Sequence, residues 1–502
     1  MLSLSTEDLQ LLQSKDISIE QIEDQLNNFK TGFPYAHLVA AATLQNGIKK
    51  MSPEELKNNI YYYNIQLLQN DIIKFVPASG AASRMFKSLF EFQSALKHNS
   101  YEFLEKEEKY SDAIFFFDNL EHFAFYNDLK PCINKSNSTT KTVFARQVLA
   151  CLLSDKGLNY AHLPKGLLKF HKYPNGDRMA IEEHLVEAAQ YANSKTTQAK
   201  LHFTISVEHE EKFKAAFKQL IPLYEKKFNL SYDISYSFQE PSTDTIAVDM
   251  NNVPLRDNNG KLLFRPGGHG ALINNLNKLN ADLIFIKNID NVVSDNKRQS
   301  TIDYKKALGG MGFKLNNTIH ELVQKLTQGK AIDEAYHFAT DILDLQLSSY
   351  YPKMNSAEKA DYLFKLLNRP LRICGVVKNV GEPGGGPFWV KKGETTSRQI
   401  VESAEIDQQN PLQKKIMQEA THFNPVDLVC FTKDYQGNNF DLHNYVDHKA
   451  AFISEKSKDG IKLKAMELPG LWNGAMAFWN TLFVEVPLST FNPVKTINDL
   501  LR

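Results

Sequence analysis

Ile72-Ile73-Lys74-Phe75-Val76-Pro77-Ala78-Ser79-Gly80-Ala81-Ala82-Ser83-Arg84-Met85-Phe86-Lys87 decides how this chain is read. Its apolar first half predicts a buried strand. A turn made only of small residues follows, and Arg84 opens a helix. Small side chains let a backbone approach a phosphate closely. Free N–H groups at a helix start attract anions, and an arginine forks onto phosphate oxygens. A small-residue turn between strand and helix serves packing as readily as chemistry, so the flanking sequence must decide between them.

Downstream, apolar strands alternate with helices. Leu201 to Val207, Ile234 to Gln239, Thr245 to Val248, Leu283 to Asn291, Leu371 to Asn379 and Val426 to Phe431 read as strands. An amphipathic helix is expected through Ile181 to Ala188. Strands that are apolar on both faces and separated by helices predict an α/β three-layer sandwich with a mixed, mainly parallel sheet. Ligands of such sheets bind at the carboxyl ends of strands. Several strand ends here carry polar or glycine-rich motifs: Glu240-Pro241, Phe264-Arg265-Pro266-Gly267-Gly268-His269-Gly270, Asn288-Ile289-Asp290-Asn291 and Gly384-Gly385-Gly386.

Residues 1–70 read as a helical N-terminal segment, with capping-box pairs Ser18/Gln21 and Ser52/Glu55 and Pro53 at a first helical position. The expected division is 1–70 and a catalytic domain over 71–502. Aromatic-rich residues 88–160 and residues 301–370 are read as helical insertions. Asn134 to Thr142 is expected to be a loop, as are Gly384 to Gly386 and the solvated pair Lys391-Lys392.

With 502 residues there is ample length for a large core. Lys plus Arg balance Asp plus Glu at 58 each, which argues against a nucleic-acid or anionic-membrane binder working by bulk charge. No apolar run approaches the ~18 residues of a membrane span. The N-terminus lacks a basic-then-apolar signal pattern. Cys132, Cys151, Cys374 and Cys430 form no Cys-x-x-Cys pair, and buried thiols in a reducing compartment are expected. The setting expected is the cytoplasm.

The ordered motifs Gly80-Ala-Ala-Ser-Arg-Met, Pro164-Lys165, Pro266-Gly-Gly-His-Gly270, Asn288-Ile-Asp-Asn291 and Pro493-Val-Lys495 followed by Asp499-Leu-Leu resemble one group of enzymes. These are the UDP-sugar pyrophosphorylases and, more broadly, the sugar-1-phosphate nucleotidyltransferases of GT-A-like fold. The resemblance covers roughly residues 71 to 300 and 371 to 502. The chain as a whole is also similar to a bacterial domain family of unknown function.

The resemblance implies a reaction: a nucleoside triphosphate and a sugar-1-phosphate-like acceptor give a nucleotide-sugar and pyrophosphate. Several negative charges meet in that reaction, so positioning and neutralisation dominate. Arg84, Lys165 and Lys495 are the implied catalytic cations. Gly80, Ala81, Ala82 and Ser83 would lie against the nucleotide, Gln239 would read the base edge, and Gly268, His269 and Gly270 would pack on base and ribose. Asp290 is the implied ligand of Mg²⁺, oriented by Asn288 and Asn291, and Asn288 is also an implied substrate-binding residue. The residues themselves allow the same reading: a carboxylate ending an apolar strand is costly unless paired or metal-bound, although it can also cap a following helix. Glu402, Asn473 and Asn480 would meet the sugar, the asparagines lying in a Trp-rich segment.

The chain also departs from that pattern. One glycine remains in the loop where several are usual, and Pro164-Lys165 stands far downstream of it. Two other readings are a non-catalytic nucleotide-binding protein of the same fold and a GT-A-type glycosyltransferase. The latter usually carries an Asp-x-Asp metal motif, which the strand ends here lack.

Overall fold

A computed structural model describes residues 4–80, 82–133, 140–193, 197–381, 384–458 and 461–502. The chain folds into two compact units. The first comprises residues 1–72, 238–286 and 304–488, the second residues 73–237, 287–303 and 489–502.

The second unit is built on three parallel strands, Ile72–Pro77, Gln198–Thr204 and Ser231–Ser237, in that spatial order. Apolar side chains alternate to both faces, so Phe75, Val76, Leu201 and Phe203 are all buried. The helix Ala180–Tyr191 packs on the sheet so completely that Glu182, Glu183, His184 and Glu187 are buried with its apolar side. The amphipathic pattern suggested a half-exposed helix. Glu183 and Glu187 stay inside because cations match them, and Glu182 accepts the Tyr224 hydroxyl and the Met179 N–H. Glu187 takes Lys74 on one carboxylate oxygen and Lys287 on the other, both at 2.7 Å. Lysine positive charge close by pulls the Glu187 carboxyl well below the usual range against the opposing effect of burial. Glu183 receives Arg298, Arg178 and His171.

Helices Lys87–Ala95, Ser111–Asp118 and Lys141–Leu153 occupy the aromatic-rich region, where Phe92, Phe116, Phe123 and Phe125 interlock. A disulfide joins Cys132 to Cys151 across 6.1 Å between Cα atoms, and Cys132 is exposed. The expectation of buried thiols therefore holds for Cys374 and Cys430 and fails for this pair. Two adjacent segments bring the cysteines together, which spacing alone did not reveal. Of the loop expected at Asn134 to Thr142, residues 134–139 lie outside the described residues, and 141 onward is helix.

The first unit holds strands Ile48–Lys49, Asn480–Glu485, Leu371–Lys378, His422–Phe431 and Leu283–Lys287 in that spatial order. The first three run parallel and Leu371–Lys378 pairs antiparallel with His422–Phe431. The sheet is thus mixed and the class is α/β. Two antiparallel sheets that periodicity did not reveal complete this unit. One joins Leu38–Ala41, Gly386–Lys392 and Thr395–Val401. The other joins Phe452–Lys458, Ile461–Glu467, Thr245–Val248 and Phe264–Arg265.

Residues 1–70 are accordingly not helical throughout, since two of these short strands fall there. The helices Thr6–Lys15 and Ile19–Thr31 bury Leu12, Ile17, Ile22 and Phe29 against Ile246, Val248, Leu262 and Met466. Gly386 begins a strand rather than belonging to a turn. Lys391 and Lys392 end that strand, and Lys392 pairs with Asp447 and stands 4.2 Å over the Phe478 ring.

Over 301–370 the expected helices are present, led by the 29-residue Arg298–Leu326. At Gly310 an added Cβ would lie 2.0 Å from the Asn59 carbonyl oxygen, so the glycine lets helix Pro53–Leu67 approach to backbone contact.

Candidate functional site

The second unit gathers most of the proposed phosphate-handling residues. Ile72–Pro77 delivers the loop, and Ile289 N–H donates to the Pro77 carbonyl at 3.2 Å, which sets Asn288–Asn291 beside it. A turn closes at this point, with Asn291 N–H donating to the Asn288 carbonyl. Pro164 leads into a short 3₁₀ helix whose first residue is Lys165. The Lys165 ammonium donates to Asp290 Oδ2 and to the Val494 carbonyl, both at 2.7 Å. Val494 N–H in turn donates to the Asp290 carbonyl. Lys165, Asp290 and the segment just before Lys495 therefore form one knot, and the side chains of Lys165 and Asp290 are only 15% and 21% exposed.

Lys495, next to this knot, is exposed, with its ammonium 6.0 Å from the centroid of the Phe491 ring. Its backbone N–H donates to Asp499 Oδ2, which also takes the Thr496 N–H and hydroxyl. The Asp499-Leu-Leu portion of the motif is thus a capping box that fixes the turn presenting Lys495.

Around the loop the outcome is mixed. Gly80 is exposed, its carbonyl accepts the Lys165 N–H at 3.4 Å, and a Cβ there would meet nothing. Ser83 and Arg84 are exposed on a 3₁₀ turn, Ala82–Phe86, instead of opening an α-helix. Arg84 forms no ion pair among the described residues. Ala82 must be corrected: it is buried and its N–H is spent on the Leu163 carbonyl, so it holds the loop and offers no donor to a nucleotide. Ala81 lies outside the described residues.

The first unit gathers the remaining residues. Gly268 stands at φ 78°, and Gly270 packs so tightly that a Cβ would be 2.3 Å from the Pro469 carbonyl oxygen. This turn aims His269. Its ring stacks on Trp472 with centroids 4.3 Å apart, and its Nδ1 accepts the Leu471 N–H at 3.0 Å. With Nδ1 used as acceptor, the proton sits on Nε2, which faces Glu402 Oε1 at 3.4 Å. Asn473 Nδ2 donates to the same Glu402 oxygen at 2.9 Å. Hydrogen bonding from His269 outweighs burial and lowers the Glu402 carboxyl below its ordinary value. His269, Glu402 and Asn473 are thus brought together as a half-buried imidazole–carboxylate pair braced by a buried amide.

Glu405 joins this cluster and was missed from sequence. Its Oε2 accepts the Glu402 N–H at 2.7 Å and faces the Asn473 amide at 3.4 Å. Burial pushes its carboxyl up to about 8. The Glu-x-x-Glu spacing of a capping box was the available signal.

Two other residues fall elsewhere. Gln239 lies two residues beyond Ser231–Ser237 and donates to its own turn through Thr243 Oγ1. Asn480 must be corrected. It is the buried first residue of its strand, and its side chain donates to the Leu367 carbonyl at the end of helix Ser356–Leu367. That amide ties strand to helix end and is closed to a sugar.

Among the described residues no group of three or more His, Cys, Asp or Glu side chains could hold a metal ion. The donor set around Asp290 is one carboxylate paired with an ammonium. That set suits Mg²⁺, which keeps waters and takes one or two carboxylates together with substrate phosphates, and does not suit an all-protein cage.

The fold places the chain among α/β proteins with a mixed central sheet. A family model described as a domain of unknown function, DUF4301, matches residues 5–502, and the chain belongs to that family. No curated protein matches it in sequence. Among solved structures, the chain is similar to UDP-N-acetylglucosamine pyrophosphorylase from Trypanosoma brucei in complex with inhibitor. The identity is 11%, the coverage 99% of this chain and 79% of that one, and the TM-score 0.49. It is also similar to UDP-glucose pyrophosphorylase from Leishmania major, with 12% identity, coverage of 100% and 80%, and a TM-score of 0.42. No helix among the described residues is long and apolar enough to cross a membrane.

Proposed function

We propose that the chain is a nucleotidyltransferase that condenses a nucleoside triphosphate with a sugar-1-phosphate-like acceptor. The observation that carries this reading is the Lys165–Asp290–Val494 knot beside the Pro77–Gly80 loop. In the reaction an acceptor phosphate oxygen attacks the α-phosphorus. The bond from that phosphorus to the oxygen bridging the β-phosphorus breaks, and pyrophosphate leaves with the electron pair.

The residues of this chain suit that task by charge and placement. Lys165 and Asp290 neutralise each other in the free protein, so neither charge stands uncompensated in its half-buried position. An arriving triphosphate would give the Lys165 ammonium a new anionic partner. Asp290 would be the residue to hold Mg²⁺, which would supply positive charge to the phosphate oxygens. Lys495 and Arg84, both exposed in the same unit, bring positive charge to the acceptor phosphate and the triphosphate. The Glu402 carboxylate is held in orientation by His269 and Asn473. The cytoplasm is the proposed setting.

A panel of nucleoside triphosphates and sugar-1-phosphates with Mg²⁺, followed by pyrophosphate release, tests the reading. Lys165→Ala or Asp290→Ala is expected to lower release by roughly a hundredfold or more. Nucleotide binding without turnover across the panel would favour the non-catalytic alternative, and unaltered release in both variants would exclude this knot from the chemistry.

A further inference from the structure

The first unit contains a cleft of about 550 Å³ whose lining includes neither His269 nor Glu402. That volume is within the range of sites that hold a whole small molecule. Its walls are apolar or aromatic: Phe33 and Tyr35 from the segment before Leu38–Ala41, Ile400 from Thr395–Val401, and Phe452. Its floor is polar and built in. Gln399, Glu405 and Asn473 line the cleft at 8%, 8% and 1% exposure. Gln399 Oε1 and Asn473 Oδ1 are buried acceptors with no hydrogen-bond partner. Such atoms cost free energy unless a donor reaches them. At the mouth stand Lys391 and Lys449, both exposed and neither in an ion pair among the described residues, whereas Lys392 is already neutralised by Asp447.

We propose that this cleft is a second small-molecule site, adjoining the His269–Glu402 cluster with which it shares Asn473 and Glu405, that takes a phosphorylated sugar ring. Hydroxyl donors meet the acceptors of the floor, ring faces lie on the aromatic walls, and the phosphate meets Lys391 and Lys449 at the mouth. The site communicates with the Glu402 cluster through a shared wall. Asn473 and Glu405 face the cleft, and both also touch Glu402, one through its carboxylate and one through its backbone N–H. Occupancy is therefore one side chain away from Glu402. The ring can come from a free sugar phosphate or from a nucleoside monophosphate, and the chemistry of recognition is the same.

Isothermal titration of the full chain with glucose 6-phosphate, ribose 5-phosphate and uridine monophosphate tests this, with glucose and inorganic phosphate as half-ligands. Saturable one-to-one binding is expected for at least one phosphorylated ring, at least tenfold tighter than either half-ligand. Comparable affinity for ribose 5-phosphate and the nucleotide points to the sugar phosphate as the recognised part; preference for the nucleotide adds the base. Lys391→Glu with Lys449→Glu, and separately Ala404→Trp at the exposed rim, are expected to weaken binding at least tenfold. Circular dichroism and melting of these surface variants establish that they are folded. Binding that ignores both cleft variants, or no binding of any phosphorylated ring, overturns the proposal. If the cleft variants abolish pyrophosphate release together with binding, the cleft is the acceptor site and a second site is refuted. The titration does not depend on turnover, so failure of the nucleotidyltransferase reading leaves it interpretable.

Discussion

Replacing Glu405 with glutamine separates the energetic cost of a buried carboxyl from its hydrogen bonds. Burial lifts this carboxyl from 4.5 to about 8, with nearby Glu402 and Asp447 adding to the effect and the Glu402 N–H opposing it. Between those pH values the folded chain keeps a proton that the unfolded chain has released. A folded-state value above the unfolded one means stability is greatest below pH 4.5 and is lost as pH rises toward 8. Each pH unit in that window removes about 1.4 kcal/mol, so the whole interval amounts to no more than about 5 kcal/mol. Glutamine keeps an acceptor for the Glu402 N–H and for Asn473 but carries no titrating proton. Glu405→Gln is therefore expected to match the parent near pH 4.5 and to exceed it by about 3–5 kcal/mol at pH 8.5. Urea unfolding followed by tryptophan fluorescence at several pH values measures the difference, and all other titrating groups cancel between the two proteins. A stability difference that stays flat from pH 5 to 8.5 would refute the reasoning, because it would mean that Glu405 is ionised in the folded chain across that range.

Three further outcomes follow from packing and capping. Gly310→Ala places a methyl group 2.0 Å from the Asn59 carbonyl oxygen. Despite alanine's better helix propensity, a net loss of about 1–3 kcal/mol is expected by denaturant titration. Asn480→Ala frees the Leu367 carbonyl and removes a buried donor, so stability should fall by about 1–3 kcal/mol. The KM for the sugar phosphate should not change, and a KM effect without a stability effect would restore Asn480 to a sugar site. Asp499→Ala removes the shared acceptor of the Lys495 and Thr496 amides, at a cost of about 1 kcal/mol in melting experiments. It should also raise the KM for acceptor more than that for nucleotide.

The parts of the fold that could be read from sequence are those whose residues carry their environment with them. Ile72–Pro77, Thr245–Val248, Leu283–Lys287 and Leu371–Lys378 are apolar on both faces because both faces are covered. The hairpins Gly386–Val401 and Phe452–Glu467 were not visible in that way. Their lysines, threonines and glutamates fit a loop equally well, and pairing across each hairpin and with the distant strands Leu38–Ala41 and Thr245–Val248 makes them strands. Capping pairs at Ser18 and Ser52 were legible because they are local. The disulfide was not, because cysteine spacing says nothing about the path of the helices between.

The candidate site divides along similar lines. Lys165 and Asp290 stand out because each sits at a punctuation point of the chain, one after a proline and one at the end of an apolar strand. Glu405 and the glutamates of Ala180–Tyr191 read as surface charge, since a sequence does not reveal which carboxylates are matched inside. Asn480 was misread for a related reason: Trp472 and Trp479 before it suggested a ligand face, while the amide was needed to satisfy the end of a helix. Ala82 looks like its loop neighbours in sequence and differs only in where its N–H points.

The Lys165 ammonium spans a large part of the polypeptide in two bonds, reaching 125 residues along the chain to Asp290 and 329 residues to Val494. Contacts of such long range close large loops and form late in folding. During synthesis, at about 5–20 residues per second, the Lys165 segment leaves the ribosome tens of seconds before Val494 exists. Until then its amine has neither fixed carbonyl nor settled geometry. A chain that has not yet reached Val494 therefore lacks the second of the two partners that hold the Lys165 ammonium.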